Sequence, residues 1–352
     1  MSREAEPRPS ARSTLSEVAA LADVSISTVS KVLNGRAGVS DETRARIETL
    51  LHERGYNRRH SGAGVAPLIE VLVWEIDSTW AAELIVGVER IAREHGVGMV
   101  VSSTEHRKVA SSRWIEAVLA RRPVGVLLVG AELPETQRRQ LRSRQIPFVL
   151  IDQGGTERAV TDHSVGSADW NGAFAATQHL LDLGHRRIAI ITGPPDMMPS
   201  VARLSGFRAA LEAAGVDLPE EYLRRGDFHR SDGLEQGRRL LELASPPTAV
   251  FASNDFQALG VYEAARALDV SIPDQLSVVG YDDVRVAAWA MPGLTTVRVP
   301  LAEMAEQATR LLVRLRDEPD YPVSHIDLAT SLVVRRSTAA PPGPGRGDTV
   351  GA

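Results

Sequence analysis

Apolar positions change their spacing partway along this chain, and the change divides it. Between residues 14 and 57 they recur three and four apart, the period of short helices. Leu15, Val18, Ala19 and Ala22 form one stripe. Thr14 caps it, and Glu17 completes a capping box. Asp23-Val24 breaks the pattern, and Ser25 caps a second helix over 26–33 with Val29, Val32 and Leu33 facing inward. Asn34-Gly35 ends this helix because both residues tolerate a left-handed backbone. Ser40 caps a third helix, with Asp41 and Glu42 in its first turn. Ile47, Leu50 and Leu51 supply its buried face, and Gly55 stops it. The outline is a helix-turn-helix.

From residue 68 onward, apolar runs alternate with amphipathic stretches. The spacing predicts strands at 68–74, 97–102, 124–129 and 148–152, with helices at 80–95, 110–120 and 134–143 between them. A second series places helices at 169–183, 202–214, 231–243 and 256–268, with strands at 187–192, 222–226, 249–252 and 277–280. Segments 295–299, 301–316, 325–328 and 332–335 finish the fold. Strands this apolar belong to parallel sheets covered on both faces. The expected fold is therefore multidomain, an all-α head followed by a two-lobed α/β body. The boundaries read as an arm over 1–13, a helix-turn-helix head over 14–57, a linker over 58–67, a body over 68–337 and a tail over 338–352. The arm and tail are polar and Pro- or Gly-rich, and are expected to be disordered.

Composition narrows the function classes. Cysteine is absent, which excludes structural disulfides and thiolate metal sites and suits a reducing compartment. The N-terminal stretch has no apolar core, so no signal peptide is expected, and no run reaches membrane-spanning length. The net charge of -5 gives nucleic-acid binding little support as a whole. Its distribution matters more. Residues 1–60 hold ten Arg or Lys against eight Asp or Glu, and the rest of the chain is acidic. Only the head would be drawn to phosphates.

On the second helix the outward residues are Ile26, Ser27, Thr28, Ser30 and Lys31. Short hydroxyls, one apolar tip and one cation suit a helix end in a major groove. A small packing unit whose polar face meets only water would have the same spacing. In the body, polar residues gather at the strand ends, where open sheets bind ligands. Asp77, Ser78, Asp152, Arg203, Asn254, Asp255, Asp282 and Asp283 lie there, with Trp80, Phe228 and Trp289 nearby. Carboxylates, an amide and an arginine beside flat apolar rings suit a neutral polyhydroxylated ligand. Each aspartate alone could equally cap the next helix. Their recurrence in both lobes favours the ligand.

Paired carboxylates also permit glycoside hydrolysis. Against an enzyme, the chain has no glycine-rich phosphate loop after the first strand, no histidine metal cluster and no G-x-S-x-G nucleophile. No cofactor and no metal are expected. The alternatives left open are a sugar-binding protein without a transcriptional role and a glycoside-processing enzyme with an accessory DNA-binding head.

The stretches TLSEVAALADVSISTVSKVLNG and VSDETRARIETLLHERGY resemble the opening of the LacI/GalR family of bacterial transcriptional repressors. The resemblance implies that Ile26, Ser27 and Lys31 read operator bases, while Thr28, Ser30 and Asn34 contact phosphates or groove edges. Ser25, Tyr56, Arg58 and Arg59 complete the expected DNA-contacting set. The linker departs from the family pattern. Tyr56 is followed by NRRHSGAGVAPL, without the family's Pro-Asn pair. Gly62 and Gly64 each lower helix propensity by roughly 1 kcal/mol, so minor-groove intercalation by a hinge helix is in doubt.

The stretches HLLDLGHRRIAIITG, RLSGFRAAL, FASNDFQALGVYEAARALDVSIPDQLSVVGYDD and PGLTTVRVPLAEMAEQA are similar to the family's periplasmic sugar-binding-protein-like body. By that resemblance Arg203, Asn254 and Asp282 hold sugar hydroxyls and Phe228 stacks on the ligand. Asp77, Trp80 and Asp152 are weaker candidates from the first lobe. Asp169 occupies a family polar position, with a helix-start role competing. The segment DSTWAAELIVGVERIA looks like members tied to pentose or plant-glycan uptake. The implied protein is a cytoplasmic, nucleoid-associated repressor. It would bind near-palindromic double-stranded operator DNA as a homodimer and be released by a small sugar. Segments 80–91, 114–119 and 285–292 are the candidate dimer surfaces.

Overall fold

The computed structural model describes residues 15–33, 38–53, 66–104, 109–152 and 162–342. The expectations for Thr14, Asn34, Gly35, Gly55, Tyr56, Arg58 and Arg59, for the arm and most of the linker, and for tail residues 343–352 lie outside these segments.

The head has helices α1 (Leu15–Leu21), α2 (Ile26–Leu33) and α3 (Asp41–Glu53). Val18, Ala19, Ala22, Val29, Val32 and Ile47 form its core, flanked by Leu15, Leu33, Leu50 and Leu51. These are the residues that the helical spacing selects. Asp23 makes the tight turn with a left-handed backbone at φ 51°. At α3, Thr43 N donates to the Ser40 hydroxyl at 3.3 Å, the capping bond that its position predicts.

The body begins with β1 (Ala66–Val73), α4 (Thr79–Glu94), β2 (Gly98–Ser103), α5 (Ser112–Arg121), β3 (Pro123–Val129), α6 (Glu135–Ser143), β4 (Phe148–Ile151) and β5 (Ser164–Ser167). It continues with α7 (Asp169–Asp182), β6 (Ile188–Thr192), α8 (Met198–Ala213), β7 (Leu223–Arg225), α9 (Arg230–Leu241), β8 (Ala249–Ala252) and α10 (Asp255–Ala267). The last elements are β9 (Ser277–Asp282), α11 (Arg285–Trp289), β10 (Thr295–Arg298), α12 (Leu301–Asp317), β11 (His325–Leu328) and β12 (Ser331–Val333).

Two six-stranded sheets result, ordered β11-β5-β4-β3-β1-β2 and β12-β10-β9-β8-β6-β7. Every described pairing is parallel except that of β12 with β10. The central strands β3, β4, β6 and β8 are buried along their whole length, as continuous apolar runs demand.

Three features depart from the sequence expectation. Strand β5 reads SVGS and has no apolar run, so its pattern gives no strand signal. Helix α8 starts at Met198, four residues early, because Pro199 serves as a first-turn residue whose missing N–H costs nothing. The late segments do not simply append to the second lobe. Helix α12 packs on α4 and on the first sheet, β11 joins that sheet, and β12 returns to the second. The chain therefore crosses between lobes after β5, β10 and β11. The α4–α12 contact is close because Gly87 has no Cβ; one there would overlap the Ala302 carbonyl.

Candidate functional site

Two sites take shape, one on each part of the chain. On α2, Ser25 caps the helix: Thr28 N donates to its hydroxyl at 3.1 Å, and Ser27 Oγ and Thr28 Oγ1 lie 2.7 and 2.8 Å from it. Ser27 and Lys31 are exposed, Thr28 and Ser30 half-buried, and Ile26 stands 51% exposed at the N-terminal end. Val29 and Val32 hold the opposite face in the core. An isoleucine this exposed earns nothing in water, which suits a contact surface.

The second site is a cleft of about 300 Å³ between the lobes. All seven body residues expected from the sequence line it. From the first lobe come Asp77 and Trp80, beside the N-terminus of α4, and Asp152, just past β4. The second lobe supplies Arg203 from α8, Phe228 after β7, Asn254 after β8 and Asp282 at the end of β9. Trp74, Glu75, His229, Arg230 and Phe256 also line it and escaped the sequence reading. Trp74 hides at the end of an apolar strand run, and Phe256 passes for a core residue of α10.

Arg203 is the centre of the inner wall. It is 3% exposed. Its Nε donates to Asp169 Oδ1 and its Nη1 to the Ser253 carbonyl, both at 2.7 Å, and its Nη2 lies 3.4 Å from Asp282 Oδ1. The Tyr281 ring lies against the guanidinium, 3.8 Å from centroid to Cζ. Burial alone would lower the guanidinium pKa, but Asp169 and Asp282 together outweigh it and raise it. Asp169 thus acts through Arg203, and it lines a small adjoining cavity rather than the cleft.

The neighbouring aspartates divide their labour. Asn254 caps α10, accepting from Gln257 N at 2.8 Å, while its Nδ2 donates to the Phe228 carbonyl at 2.8 Å. The helix-cap role and the cleft position therefore coexist. Asp255 turns inward, accepting from Thr296 Oγ1 at 2.6 Å and from Val284 N at 2.9 Å. Asp283 accepts from Arg298 and Arg335, away from the cleft. In each pair, one residue lines the cleft and the other braces the fold.

Backbone geometry aims several of these groups. Asp152, Phe228 and Asp282 have φ of 45°, 67° and 99°, a left-handed region that non-glycine residues rarely occupy. Such strain gathers at functional sites. Phe228 also needs Gly193, since a Cβ there would overlap its ring. Burial, then the charge of Asp169, pushes the Asp152 carboxyl up to about 8, partly offset by Arg203. Asp282 rises to about 6, driven by burial against the pull of Arg203. Its Oδ1 is buried without a hydrogen bond.

A more open groove of about 690 Å³ lies on the far side of the β9 end. Its charges neutralise one another: Arg298 and Arg335 with Asp283, Arg90 and Arg310 with Glu306, and Arg285 with Glu83. It also lacks aromatic lining. Among the described residues, no group of three or more His, Cys, Asp or Glu side chains could hold a metal ion. No described helix is long and apolar enough to cross a membrane.

The comparisons agree with this division into head and body. Residues 14–59 match the bacterial regulatory proteins of the lacI family, and residues 177–338 match the periplasmic binding protein-like domain. The chain is 34% identical over 332 residues to the ribose operon repressor of Escherichia coli (strain K12), covering 92% of this chain and 99% of that protein. The solved complex of the transcriptional regulator CelR with cellobiose superposes with a TM-score of 0.70 at 32% identity, over 93% of this chain and 100% of that one. The lac repressor dimer bound to operator and the anti-inducer ONPF gives 0.68 at 25% identity, over 94% and 100%. With its helix-turn-helix head and two-sheet α/β body, the chain belongs to the lacI family of bacterial regulatory proteins and is a DNA-binding transcriptional regulator.

Proposed function

We propose that this repressor takes a small sugar into the cleft lined by Arg203, Asn254 and Asp282, and that the sugar releases it from its operator. The observation that carries the reading is the convergence of five carboxyls, an amide, two arginines and the aromatic rings of Trp74, Trp80, Phe228 and Phe256 on one cleft. Carboxylates accept from sugar hydroxyls and the rings cover C–H faces. The cleft is at the small end for ligand pockets. In this reading residues 14–57 are the DNA reader, 58–67 the linker and 68–337 the effector and dimerisation body, and no catalytic step is assigned. The protein works in the cytoplasm, at the chromosome. Ser25, Ile26, Ser27, Thr28, Ser30, Lys31, Asn34, Tyr56, Arg58 and Arg59 form the DNA-contacting set.

A homodimer on a near-palindromic site follows from the size of one recognition helix, which makes few base contacts. Supporting it, Trp289 and Met291 are 71% and 92% exposed in segment 285–292, and Val86 is exposed on α4. Apolar side chains this open mark an interaction surface. The test is calorimetric titration of ribose and cellobiose into the full-length protein, with and without an operator selected from random DNA. Binding that is lost in Trp80→Ala and Asn254→Ala, while both variants still bind operator, supports the assignment. Sugar binding unchanged in both variants moves the effector elsewhere.

A further inference from the structure

The charge balance of the cleft narrows the effector further, given the sugar reading above. Among the described residues, Arg203 is the one cation on the inner wall, and it has little left to offer. Its Nε, Nη1 and Nη2 face Asp169, the Ser253 carbonyl and Asp282, and Tyr281 covers one face of the guanidinium. Asp152, Asp169, Asp282 and Asp327 all raise or carry negative potential within this region; the charges of the last three each disfavour ionisation of Asp152. Asp169 and Asp282 thus already neutralise the guanidinium, and the Asp152 carboxyl stands within its reach.

The hydrogen-bonding inventory agrees. Ionised carboxylates only accept, and Asp282 Oδ1 is buried with no hydrogen bond, Arg203 Nη2 standing 3.4 Å from it as an ion-pair partner. Among the described residues, the cleft lining carries five carboxyls, Glu75, Asp77, Asp152, Asp227 and Asp282, against Arg203, His229 and Arg230, so acceptors are in excess. A phosphate would bring negative charge and still more acceptors into a low-dielectric pocket, where like charges repel strongly. Phosphate sites elsewhere rely on arginine forks, lysines or helix N-terminal N–H groups left free for the ligand. Asn254 and Ser78 each take an N–H at the starts of α10 and α4. Helices α8 and α9 also begin at the cleft without a side-chain cap, but Pro199 removes an N–H from the first turn of α8 and Asp232 puts a carboxylate in that of α9.

We infer that the effector is an unphosphorylated, donor-rich saccharide, and that this cleft rejects the phosphate ester of the same sugar through Asp282. At the mouth, His229 and Arg230 are exposed. His229 stands 3.8 Å from Glu75, and Arg230 is bonded to Glu263. Both of these described rim residues thus face a carboxylate rather than standing free to offset the inner wall.

The experiment titrates matched pairs into the full-length protein: ribose against ribose 5-phosphate, glucose against glucose 6-phosphate, and cellobiose against its 6-phosphate. The neutral member of a binding pair is expected to bind at least about tenfold more tightly. In Asp282→Asn that ratio is expected to narrow, whatever happens to absolute affinity, because a neutral amide removes the repulsion. Circular dichroism melts of the variant establish that it is folded. Should Asp282→Asn unfold, Asp152→Asn titrated above pH 8 provides the same ratio. A phosphate ester that binds as tightly as its neutral partner overturns the inference and leaves the sugar reading standing. If no saccharide of either kind binds, the sugar reading fails, and this inference with it.

Discussion

Asp282 and Asp283 are consecutive residues whose carboxylates serve opposite sides of one strand end. Asp282 lies 3.4 Å from Arg203 in the cleft, while Asp283 accepts from Arg298 at 2.7 Å and from Arg335 at 2.6 Å in the groove behind it. Both have left-handed backbones, φ 99° and 55°. Two residues on, Arg285 donates to Glu83 of α4 at 3.0 Å, a bond from the second lobe to the first. One strand end thus joins the ligand wall to an interlobe tether.

This arrangement makes Arg285 a candidate for carrying the signal rather than binding the sugar. Arg285→Ala is expected to change the factor by which sugar weakens operator binding, by on the order of 0.5–2 kcal/mol. Sugar affinity measured without DNA should stay within about threefold. An unchanged coupling factor removes the tether from the pathway.

Arg203→Ala should damage the fold as well as the site. It leaves Asp169 and Asp282 buried without their cation, a change that costs about 3–5 kcal/mol. Urea denaturation of the variant checks this. A loss below about 1 kcal/mol would mean that the guanidinium does not hold the wall together.

Gly193→Ala should displace the Phe228 ring, because the added methyl takes its place. Sugar affinity is expected to fall about three- to tenfold, the worth of one aromatic contact. Phe228→Leu should fall similarly without needing the space. Full affinity in both variants would remove the ring from the ligand site.

The apo protein should lose stability as pH rises. Asp152 ionises at about 8 in the fold against an ordinary 3.8, so the folded state holds this proton the more tightly. Its contribution is complete below the ordinary value and is lost as pH rises through about 8. Asp282, at about 6, adds a loss of the same sign at lower pH. Asp152→Asn should flatten the decline between pH 4 and 9, recovering on the order of 2 kcal/mol at the alkaline end. An equally steep decline in the variant would place the pH sensitivity elsewhere.

The parts of this fold most legible in the sequence are those where local spacing and burial agree. Helix α2 falls where the periodicity places it, with Val29 and Val32 inward. The apolar strands are equally plain. Strand β5 is hidden because SVGS carries no apolar run and is buried only by its neighbours. The return of α12 to the first lobe depends on tertiary packing against α4, which no local pattern encodes. At the site, the pattern alone picks out strand-end polar residues but not which of them face the cleft; that choice rests on the family resemblance, which selects Asn254 and Asp282. Asp255 and Asp283 have the same sequence signature as Asn254 and Asp282, yet Thr296, Arg298 and Arg335 draw them away. The position of Asp169, one residue from Ala168 at the helix start, gave no hint that its carboxylate goes to Arg203.

The central claim is that one sugar-filled cleft sets the DNA affinity of the head. Linkage tests it directly, since coupling between two sites must be reciprocal. Operator affinity is measured by fluorescence anisotropy with and without saturating sugar, and sugar affinity by calorimetry with and without saturating operator. The account expects the two ratios to agree, with sugar and operator each weakening the other about five- to 150-fold. A ratio of one in both directions, with sugar bound in the cleft, would contradict it.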